Sequence, residues 1–491
     1  MKYFLCLALG GIYTLSFSPY NFLSAAFISI IFFISILDFQ RYKESFLNTL
    51  FFSVGYFSVG SYWLHNVIQF YTDINIYVSI FLISIFIFYL SLYIIFPAIL
   101  TTFLRNKFEF DKNLLFIIFI ILVTLFEIIR SILFTGYSWF NFGQAALGSP
   151  LQYFYPVIGV HGVTLIILLI PIILLSFMKF KNIKFYASLL ILVLISNIYF
   201  YEKAWTFKSH ENIYLSIIQP NNENKLKYSI EDNINRMKFF SDKSLSLVNK
   251  NSNIIFWPES PIPLTYNSIE KSYYKNLLRK IPKNKFIVTG TFFEESNLIY
   301  NSIINTSEPS NIYHKKHLVP FGEYLPFRKY LGGLYKILGL NVYDISSGSL
   351  QNKIFVGNYS IFPLICYESI FSIDSLIGDK NIDFIFNVSN DGWFGDSLAP
   401  FQHLDALRMR SLENQRYSVR AANTGISAVL SPKGEILNSI PFNKEGVINS
   451  KIEGRNGLTP ISRYGYNTLY AVIFFLLLYS SLYFHMSIFR R

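Results

Sequence analysis

Long apolar stretches separated by short polar segments dominate residues 1–200 of the chain, and one more lies at its C-terminal end. A helix needs roughly 17–25 apolar residues to cross a bilayer. The first stretch, which follows Lys2, could also be a signal peptide, but the six stretches after it favour a retained helix. The pattern predicts eight membrane-spanning helices, at about 3–19, 21–37, 47–70, 76–103, 113–133, 161–178, 184–200 and 467–489.

The region 211–455 has a different pattern, in which short β-rich runs alternate with helical ones. Such alternation is typical of a layered α/β fold with a buried sheet. We expect three parts: a seven-helix membrane bundle at 1–200, an extramembrane domain at 201–466 and a last membrane helix at 467–491. The predicted strands are 213–219, 253–257, 286–293, 298–305, 360–365, 382–388 and 426–431. The predicted helices are about 229–249, 268–280 and 403–420.

Composition agrees with a membrane protein. Hydrophobic residues make up 52% of the chain and charged residues only 15%, against roughly 25% charged in soluble domains. These values exclude a disordered protein, a coiled coil and an ordinary cytosolic enzyme. The two cysteines, Cys6 and Cys366, are too few for a disulfide scaffold in a chain of 491 residues.

The positions of basic residues predict the orientation of the helices. Loops near 18–21, 71–75 and 134–160 carry no lysine or arginine, whereas the alternate loops are basic. Both termini are then cytoplasmic and 201–466 lies outside the cytoplasm. The net charge of +12 does not indicate a nucleic-acid partner, since no basic stripe or motif accompanies it. Apart from Arg130, near the end of a span, the cytoplasmic set is Lys2, Arg41, Lys43, Arg105, Lys107, Lys112, Lys179, Lys181, Lys184, Arg490 and Arg491.

Three segments place a reactive side chain at or after a predicted strand, where a rigid sheet can aim it. Glu259, after NIIFWP, could be a general base, or instead a helix cap or a surface carboxylate. Lys315 could stabilise an oxyanion or be a solvated loop lysine, and Glu323 could support it or be a loop carboxylate. Cys366 could be a nucleophile or a small buried hydrophobe.

Other chemistries have less support. His317 and His403 could be bases, or histidines with a structural role. There is no Cys/His pair at zinc spacing, no G-x-S-x-G elbow and no Gly-rich phosphate loop. We therefore expect neither a metal nor a cofactor.

The separated Glu259, Lys315 and Cys366, with Tyr367 and Glu368 directly after the cysteine, resemble the nitrilase superfamily. The resemblance extends to the apolipoprotein N-acyltransferase family of bacterial inner membranes and covers nearly the whole chain. The segments that carry it are FSPYN (17–21), FTGYSWFNFG (134–143), HLVPFGEYLPF (317–327), ICYES (365–369), NVSNDGWFG (387–395) and QHLDALRMRSLE (402–413).

The resemblance implies an α/β fold, an αββα nitrilase-like sandwich attached to an eight-helix transmembrane bundle. It implies Glu259 as the general base, Lys315 as the oxyanion stabiliser and Cys366 as the nucleophile. Lys315 takes this role, and not Lys316, because it stands eight residues before Glu323.

The family pattern also implies supporting residues. Glu323, Tyr367 and Glu368 match family positions near the catalytic set. Tyr228 stands where the family often has a tryptophan, so a substrate contact is expected from an aromatic ring there. Phe321 and Trp393, together with Phe394, could line a lipid entrance or simply pack in the core.

The implied reaction transfers an acyl chain from a phospholipid to the α-amine of a diacylglyceryl-cysteine on an apolipoprotein, through a thioester on Cys366. The implied location is the inner membrane, multi-pass, with the catalytic domain on the periplasmic side. A membrane-tethered nitrilase-type amidase with water as the acceptor is the alternative. A transporter or scaffold is disfavoured, because most spans lack charges, although Glu127 and Arg130 could form a structural pair or contact substrate.

Overall fold

The chain divides into two units. The structure, a computed structural model, describes all residues except 73, 109, 180–181, 202, 226, 249, 251, 341–343, 350–352 and 489–491, and all their side chains except 211 and 485–488. The predictions for Lys181, Arg490 and Arg491 therefore lie outside the described residues. The first unit comprises Met1–His65, Ile76–Lys203 and Pro460–Arg491, and the second comprises Asn66–Asn75 and Ala204–Thr459.

The first unit is helical. Within the described part of the chain, five helical segments are long and apolar enough to cross a membrane: Ile76–Phe108, Lys112–Arg130, Pro150–Met178, Ile183–Phe200 and Asn467–Phe484. Two apolar helices near the N-terminus are shorter, so the eight-span topology stays a prediction. The helices of this unit, with α4 running into the second, are α1 (Lys2–Tyr13), α2 (Leu23–Ile36), α3 (Tyr42–Gly60), α4 (Leu64–Tyr71), α5 (Ile76–Phe108), α6 (Lys112–Arg130), α7 (Tyr155–Met178), α8 (Ile183–Phe200), α14 (Pro460–Tyr464) and α15 (Asn467–Ile488).

The predicted uninterrupted helix over 47–70 is wrong. Helix α3 ends at Gly60, because Ser61 leaves the helical region with φ −106° and ψ 18°. A new helix, α4, begins at Leu64, and the segment Asn66–Asn75 belongs to the second unit. Apolar composition alone does not reveal such a turn.

The buried charges of α6 serve the fold of the first unit. Glu127 accepts hydrogen bonds from the Phe142 backbone N–H at 2.8 Å and the Thr164 hydroxyl at 2.7 Å. Arg130 donates to the Asn141 side chain at 2.8 Å, while its distance to Glu127 is 3.9 Å. These bonds tie down the irregular segment after α6, so the structural interpretation of the pair is favoured.

The second unit is built on two six-stranded sheets. The strands are β1 (Thr206–Gln219), β2 (Ile254–Phe256), β3 (Phe286–Glu295), β4 (Leu298–Asn305), β5 (Ile312–His314), β6 (Ile354–Val356), β7 (Tyr359–Ile365), β8 (Phe384–Ser389), β9 (Ser418–Ala422), β10 (Ser427–Leu430), β11 (Ile436–Ile440) and β12 (Gly446–Gly457). One sheet has the order β12-β1-β2-β3-β4-β5 and the other β11-β10-β9-β8-β7-β6. At the centre, β1-β2-β3 and β7-β8-β9 are parallel.

Apolar side chains of both sheets meet in one buried core, which includes Leu215, Phe256, Val288, Phe386 and Val419. Helices cover the outer faces, through two further buried clusters. The second-unit helices are α9 (Ile230–Val248), α10 (Tyr266–Ile269), α11 (Lys275–Leu278), α12 (Arg328–Ile337) and α13 (Ala399–Asn414). The predicted αββα arrangement is therefore confirmed for this unit.

The predicted elements of the second unit need three corrections. Helix 403–420 runs instead from Ala399 to Asn414, because Gln415 adopts a left-handed conformation with φ 45°. Residues 418–420 belong to β9. The predicted helix 268–280 is broken into α10, a π-helical turn and α11. Five strands were not predicted, namely β5, β6, β9, β11 and β12.

Candidate active site

Glu259 lies just beyond the carboxyl end of the buried strand β2. The strand continues into Trp257, whose ring is fully buried and donates a hydrogen bond to Ser244 at 3.1 Å. Gly290 of β3 lies directly beside Glu259, since a Cβ at this glycine would be 2.7 Å from the Glu259 Cα. A side chain at Gly290 would therefore push the carboxylate out of position.

Lys315 follows β5 and points inward. Its backbone N–H donates to the Asn301 carbonyl at 2.8 Å, and its ammonium lies 2.8 Å from Glu323 Oε2. The same Glu323 oxygen accepts the Val319 backbone N–H at 2.8 Å. The lysine side chain is only 1% exposed and Glu323 is its counter-ion, so the solvated-loop interpretation of Lys315 does not hold.

Asn301 of β4 connects the two carboxylates. Its Nδ2 donates to Glu259 Oε1 at 2.8 Å and to Glu323 Oε1 at 3.0 Å. Glu259 Oε2 remains buried without a hydrogen bond among the described residues. Sequence reasoning missed Asn301, because an asparagine inside a strand carries no motif of its own.

Cys366 begins a short turn, Cys366–Ile370, at the end of β7. Its φ is +48°, a left-handed value that is unusual for a residue with a Cβ. Strained backbones of this kind cluster at functional sites. The Ser389 hydroxyl of β8 lies 3.7 Å from the Cys366 sulfur.

A buried polar network lies behind the nucleophile candidate. His403 Nε2 lies 3.0 Å from the Cys366 carbonyl oxygen, and because that oxygen can only accept, the nitrogen donates. His403 Nδ1 lies 2.8 Å from Asp391, which also binds Arg420 at 2.8 Å and the Ser389 hydroxyl at 2.7 Å. Both ring nitrogens of His403 are therefore engaged, which favours a positioning role over a base. Sequence reasoning missed Asp391 and Arg420.

The ligand atoms of Cys366, Asp391 and His403 lie within 4.8 Å of one another, as in a metal site. The Arg420 guanidinium, however, lies 2.8 Å from Asp391 and 3.1 Å from His403 Nδ1. The Arg420 guanidinium thus already supplies the positive charge between Asp391 and His403. These side chains therefore form a hydrogen-bond network and are poorly suited to bind a metal ion.

Glu368 braces the loop that carries Lys315. Its carboxylate accepts the backbone N–H groups of Ile365, Lys316 and His317 at 2.7, 2.8 and 3.2 Å. It also accepts the Tyr313 hydroxyl at 2.8 Å. Glu368 thus holds the cysteine turn against the segment after β5. Because these hydrogen bonds engage its carboxylate, we assign Glu368 a structural role.

Burial and neighbouring charges shift the pKa values of the three central groups. Burial raises the pKa of Glu259, an effect that Lys315 opposes and Glu323 reinforces. Burial alone would lower the pKa of Lys315, but Glu323, Glu259 and Cys366 outweigh it and raise the pKa. Burial and the nearby Glu259 raise the pKa of the Cys366 thiol. The site therefore favours a protonated thiol and an ammonium, and burial shifts the Glu259 carboxyl toward its protonated form.

The remaining aromatic candidates lie in different surroundings. The Tyr228 ring packs on the Arg236 guanidinium, 4.5 Å from its centroid. Phe321 is 48% exposed, and Trp393 stacks on Tyr71 with 5.3 Å between ring centroids.

Tyr367 and His317 belong to one further aromatic cluster. Tyr367 lies edge-on to His317 and Phe371, at 5.8 and 4.9 Å. His317 stacks on Phe371 at 3.7 Å and pairs with Asp374 at 3.2 Å, which favours its structural interpretation.

The arrangement suits nucleophilic acyl chemistry. A carboxylate, an ammonium and a thiol converge at the ends of β2 and β5 of one sheet and β7 of the other. The thiol sits on a strained turn, and hydrogen bonds from α13 hold this turn in place. A base next to a nucleophile, with a cation for the developing oxyanion, is the signature of covalent catalysis.

Comparisons with known proteins agree with this geometry. Residues 9–173 match the family described as "Apolipoprotein N-acyltransferase N-terminal domain", and residues 215–456 match "Carbon-nitrogen hydrolase". The chain is 32% identical to an apolipoprotein N-acyltransferase of Wigglesworthia glossinidia brevipalpis, over 95% of this chain and 94% of the relative. It is 31% identical to the Haemophilus influenzae protein of that name, over 97% and 94%.

Two solved structures are similar to about half of the chain. Saccharomyces cerevisiae Nit3 is 17% identical, with a TM-score of 0.37, over 50% of this chain and 91% of Nit3. A CN-hydrolase superfamily protein from Xanthomonas campestris, XC1258, is 16% identical with a TM-score of 0.37, over 49% and 91%.

Proposed function

The chain belongs to the apolipoprotein N-acyltransferase family, and from this premise we propose that Cys366 carries the transferred acyl group as a thioester. The enzyme is an acyltransferase with a carbon-nitrogen hydrolase domain. One observation supports the proposal most directly: the buried, mutually bonded set of Glu259, Asn301, Glu323 and Lys315 beside the Cys366 thiol.

In the first step, Glu259 accepts the thiol proton and the thiolate of Cys366 attacks the ester carbonyl of a phospholipid. The oxyanion develops against the Lys315 ammonium and the backbone N–H of Tyr367. The C–O bond of the ester breaks as Glu259 returns the proton to the departing oxygen. A lysophospholipid leaves, and the acyl group stays on sulfur.

In the second step, the α-amine of a diacylglyceryl-cysteine attacks the thioester. Glu259 accepts a proton from the amine, the C–S bond breaks, and the proton passes to the Cys366 sulfur. The product is an N-acylated lipoprotein, and the enzyme returns to its starting state. The scheme is ping-pong, because one product leaves before the second substrate reacts.

The remaining residues support these steps. Glu323 and Asn301 hold the lysine and the base in place. Glu368 fixes the cysteine turn, and the backbone N–H of Tyr367 donates a hydrogen bond to the oxyanion. Tyr228, Phe321 and Trp393 are assigned to contacts with the lipid chains.

The protein is a membrane protein, in keeping with its apolar helices. We place it in the bacterial inner membrane, with the second unit on the periplasmic side. A cleft at the membrane surface avoids moving acyl chains into water, at a cost of about 0.8 kcal/mol per CH₂ group.

The proposal is tested by the intact mass of the purified, detergent-solubilised protein after incubation with a phospholipid. We expect an acyl-sized adduct that hydroxylamine removes and that Cys366→Ala abolishes. Adding a diacylated lipopeptide should clear the adduct and yield a triacylated peptide.

Cys6→Ala is the matched control, since Cys6 is the other cysteine of the chain and is buried in α1. This variant should keep the adduct. An adduct that persists in Cys366→Ala would exclude Cys366 as the acyl carrier. Clearance by water alone, without a peptide product, would select the amidase alternative.

A further inference from the structure

The second unit includes a short segment, Asn66–Asn75, that is distant in sequence from the strands of the two sheets. Its first residue is fastened to the loop after β8, because the Asn66 amide donates to the Phe394 carbonyl at 2.9 Å. Gly395 makes this approach possible: its φ is +58°, and a Cβ there would lie 3.0 Å from the Asn66 amide nitrogen.

Three aromatic rings meet where this piece of chain joins the loop. The Tyr71 and Trp393 rings are stacked, with 5.3 Å between centroids and 18° between planes. Phe70 meets Trp393 edge-on at 4.9 Å. Trp393 belongs to the turn Asp391–Phe394, whose first residue is part of the network behind Cys366. We call Phe70, Tyr71 and Trp393 the aromatic cover.

Tyr71 is the member of the cover that faces the reacting groups. A Cβ on Gly322 would lie 3.8 Å from the Tyr71 hydroxyl oxygen, and the next residue, Glu323, binds Lys315. The pKa of Tyr71 is raised by burial and, further, by the charges of Glu323, Glu259 and Cys366. Tyr71 therefore stays a neutral phenol, whose hydroxyl lies next to the loop that carries Glu323 and feels the charges of Glu259 and Cys366.

A thioester on Cys366 can be lost to hydrolysis, so a cover over the site would protect the acyl-enzyme from water. Water can add to the thioester carbonyl; the C–S bond then breaks, a fatty acid leaves and the sulfur regains a proton. Transfer to an amine competes with this loss for as long as the acyl-enzyme waits for its second substrate. Closing a site against water suppresses hydrolysis of reactive intermediates.

We propose that the aromatic cover keeps water from the acyl-enzyme and so determines that the acyl group passes to an amine and not to water. This inference rests on the proposed function. It assigns the choice between transfer and hydrolysis to Phe70, Tyr71 and Trp393, of which Phe70 and Tyr71 lie outside the residues 215–456 that match the carbon-nitrogen hydrolase family.

The test uses the full-length protein in detergent micelles, first charged with an acyl group from a labelled phospholipid. The acyl-enzyme is then left in buffer without an acceptor, and released fatty acid is measured over time. Truncation of the ring in Tyr71→Ala should speed release at least about tenfold. Tyr71→Phe keeps the ring and should keep release slow.

Phe70→Ala tests the cover from its other side and should also speed release. Phe355→Ala is the matched control, because Phe355 of β6 is an aromatic residue that is 47% exposed and has no part in the cover. It should release fatty acid at the wild-type rate. Thermal unfolding of each variant identifies any that are misfolded.

Two results would overturn the proposal. Release at the wild-type rate from both Tyr71→Ala and Phe70→Ala would show that the cover does not exclude water. Equal acceleration in Tyr71→Phe and Tyr71→Ala would assign the effect to the hydroxyl group. Failure of the proposed function is distinct, since the wild-type protein would then form no acyl-enzyme at all.

Discussion

Lys315 is an ammonium buried beside two carboxylates, and its shape matters as much as its charge. The side chain is 1% exposed and its nitrogen lies 2.8 Å from Glu323. A guanidinium is larger, planar and spreads its charge, so it cannot take the place of a compact ammonium there. We expect Lys315→Arg to lower the rate of acyl-enzyme formation at least about 100-fold, as loss of an oxyanion donor does elsewhere.

The neighbouring lysine is the matched control for this substitution. Lys316 is half-buried, and its ammonium lies 5.7 Å from the centre of the Tyr313 ring, where a guanidinium can also stack. Lys316→Arg should therefore keep most of the activity. Burst-phase measurement of acylated Cys366 compares the two variants, and equal rates in both would remove Lys315 from the catalytic set.

The pH dependence of acylation should report the raised pKa of Glu259. Burial and Glu323 favour the protonated carboxyl, but the base works only when it is ionised. Acyl-enzyme formation should therefore fall as the pH drops, with an apparent pKa above the ordinary glutamate value of about 4.3. Single-turnover rates between about pH 4 and pH 8 test this expectation.

A midpoint at or below the ordinary glutamate value would contradict the assignment. Glu259→Gln removes the ionisable group. This variant should lose most of the activity, and its remaining rate should no longer fall as the pH drops. Asn301→Asp is a further check: it replaces an amide donor by a carboxylate between Glu259 and Glu323, and should raise the midpoint.

The sequence revealed the reactive residues better than the ones that hold them. Glu259, Lys315 and Cys366 stand at strand ends in segments with a recognisable order of residue types, and the structure places them together. Asn301 and Arg420 lie inside strands, where polar residues are ordinary. Their roles depend on which side chains face them, and no local pattern encodes that.

At the scale of single elements, the limits of prediction have physical causes. Strand β11 was missed because it is largely exposed and lacks an apolar run, and β12 because polar residues interrupt its apolar ones. Strand β9 was missed because its first residues were assigned to the predicted helix 403–420. The end of α13 was misplaced because Gln415, and not a glycine, takes the left-handed position. The central strands were predicted well, because burial on both faces demands continuous apolar residues.

Helix α13 carries the next prediction. His403 on this helix donates to the Cys366 carbonyl and, through Asp391 and Arg420, fixes the turn with φ +48°. His403→Leu should lower the acylation rate by about 10- to 100-fold, since leaving a buried hydrogen-bonding group without its partner costs about 1–3 kcal/mol. His403→Gln, whose amide can donate to the same carbonyl, should recover part of this loss.

Ser411→Ala separates positioning from stability in the same helix. The Ser411 hydroxyl is buried and bonds Ser418 at 2.6 Å, away from the cysteine turn. This variant should lower the melting temperature but leave the acylation rate nearly unchanged. If His403→Leu lost only stability and kept its acylation rate, the positioning role would be refuted.

At the scale of the whole molecule, the charge pattern makes a prediction about sidedness. Five described helices could cross a membrane. The distribution of basic residues predicts that both termini are cytoplasmic and that the second unit lies outside the cytoplasm. This prediction can be tested by labelling cysteines in spheroplasts with a maleimide that does not cross membranes. In a background of Cys6→Ala and Cys366→Ala, single cysteines replace the exposed residues Ser268 and Lys43.

The two positions should respond in opposite ways. Ser268→Cys, in α10 of the second unit, should react in intact spheroplasts. Lys43→Cys, in the first turn of α3 and in a loop predicted to be cytoplasmic, should react only after lysis. The reverse pattern would contradict the predicted orientation. Labelling of both positions before lysis would show that an even number of spans lies between them. The eight-span topology requires an odd number there and would have to be replaced.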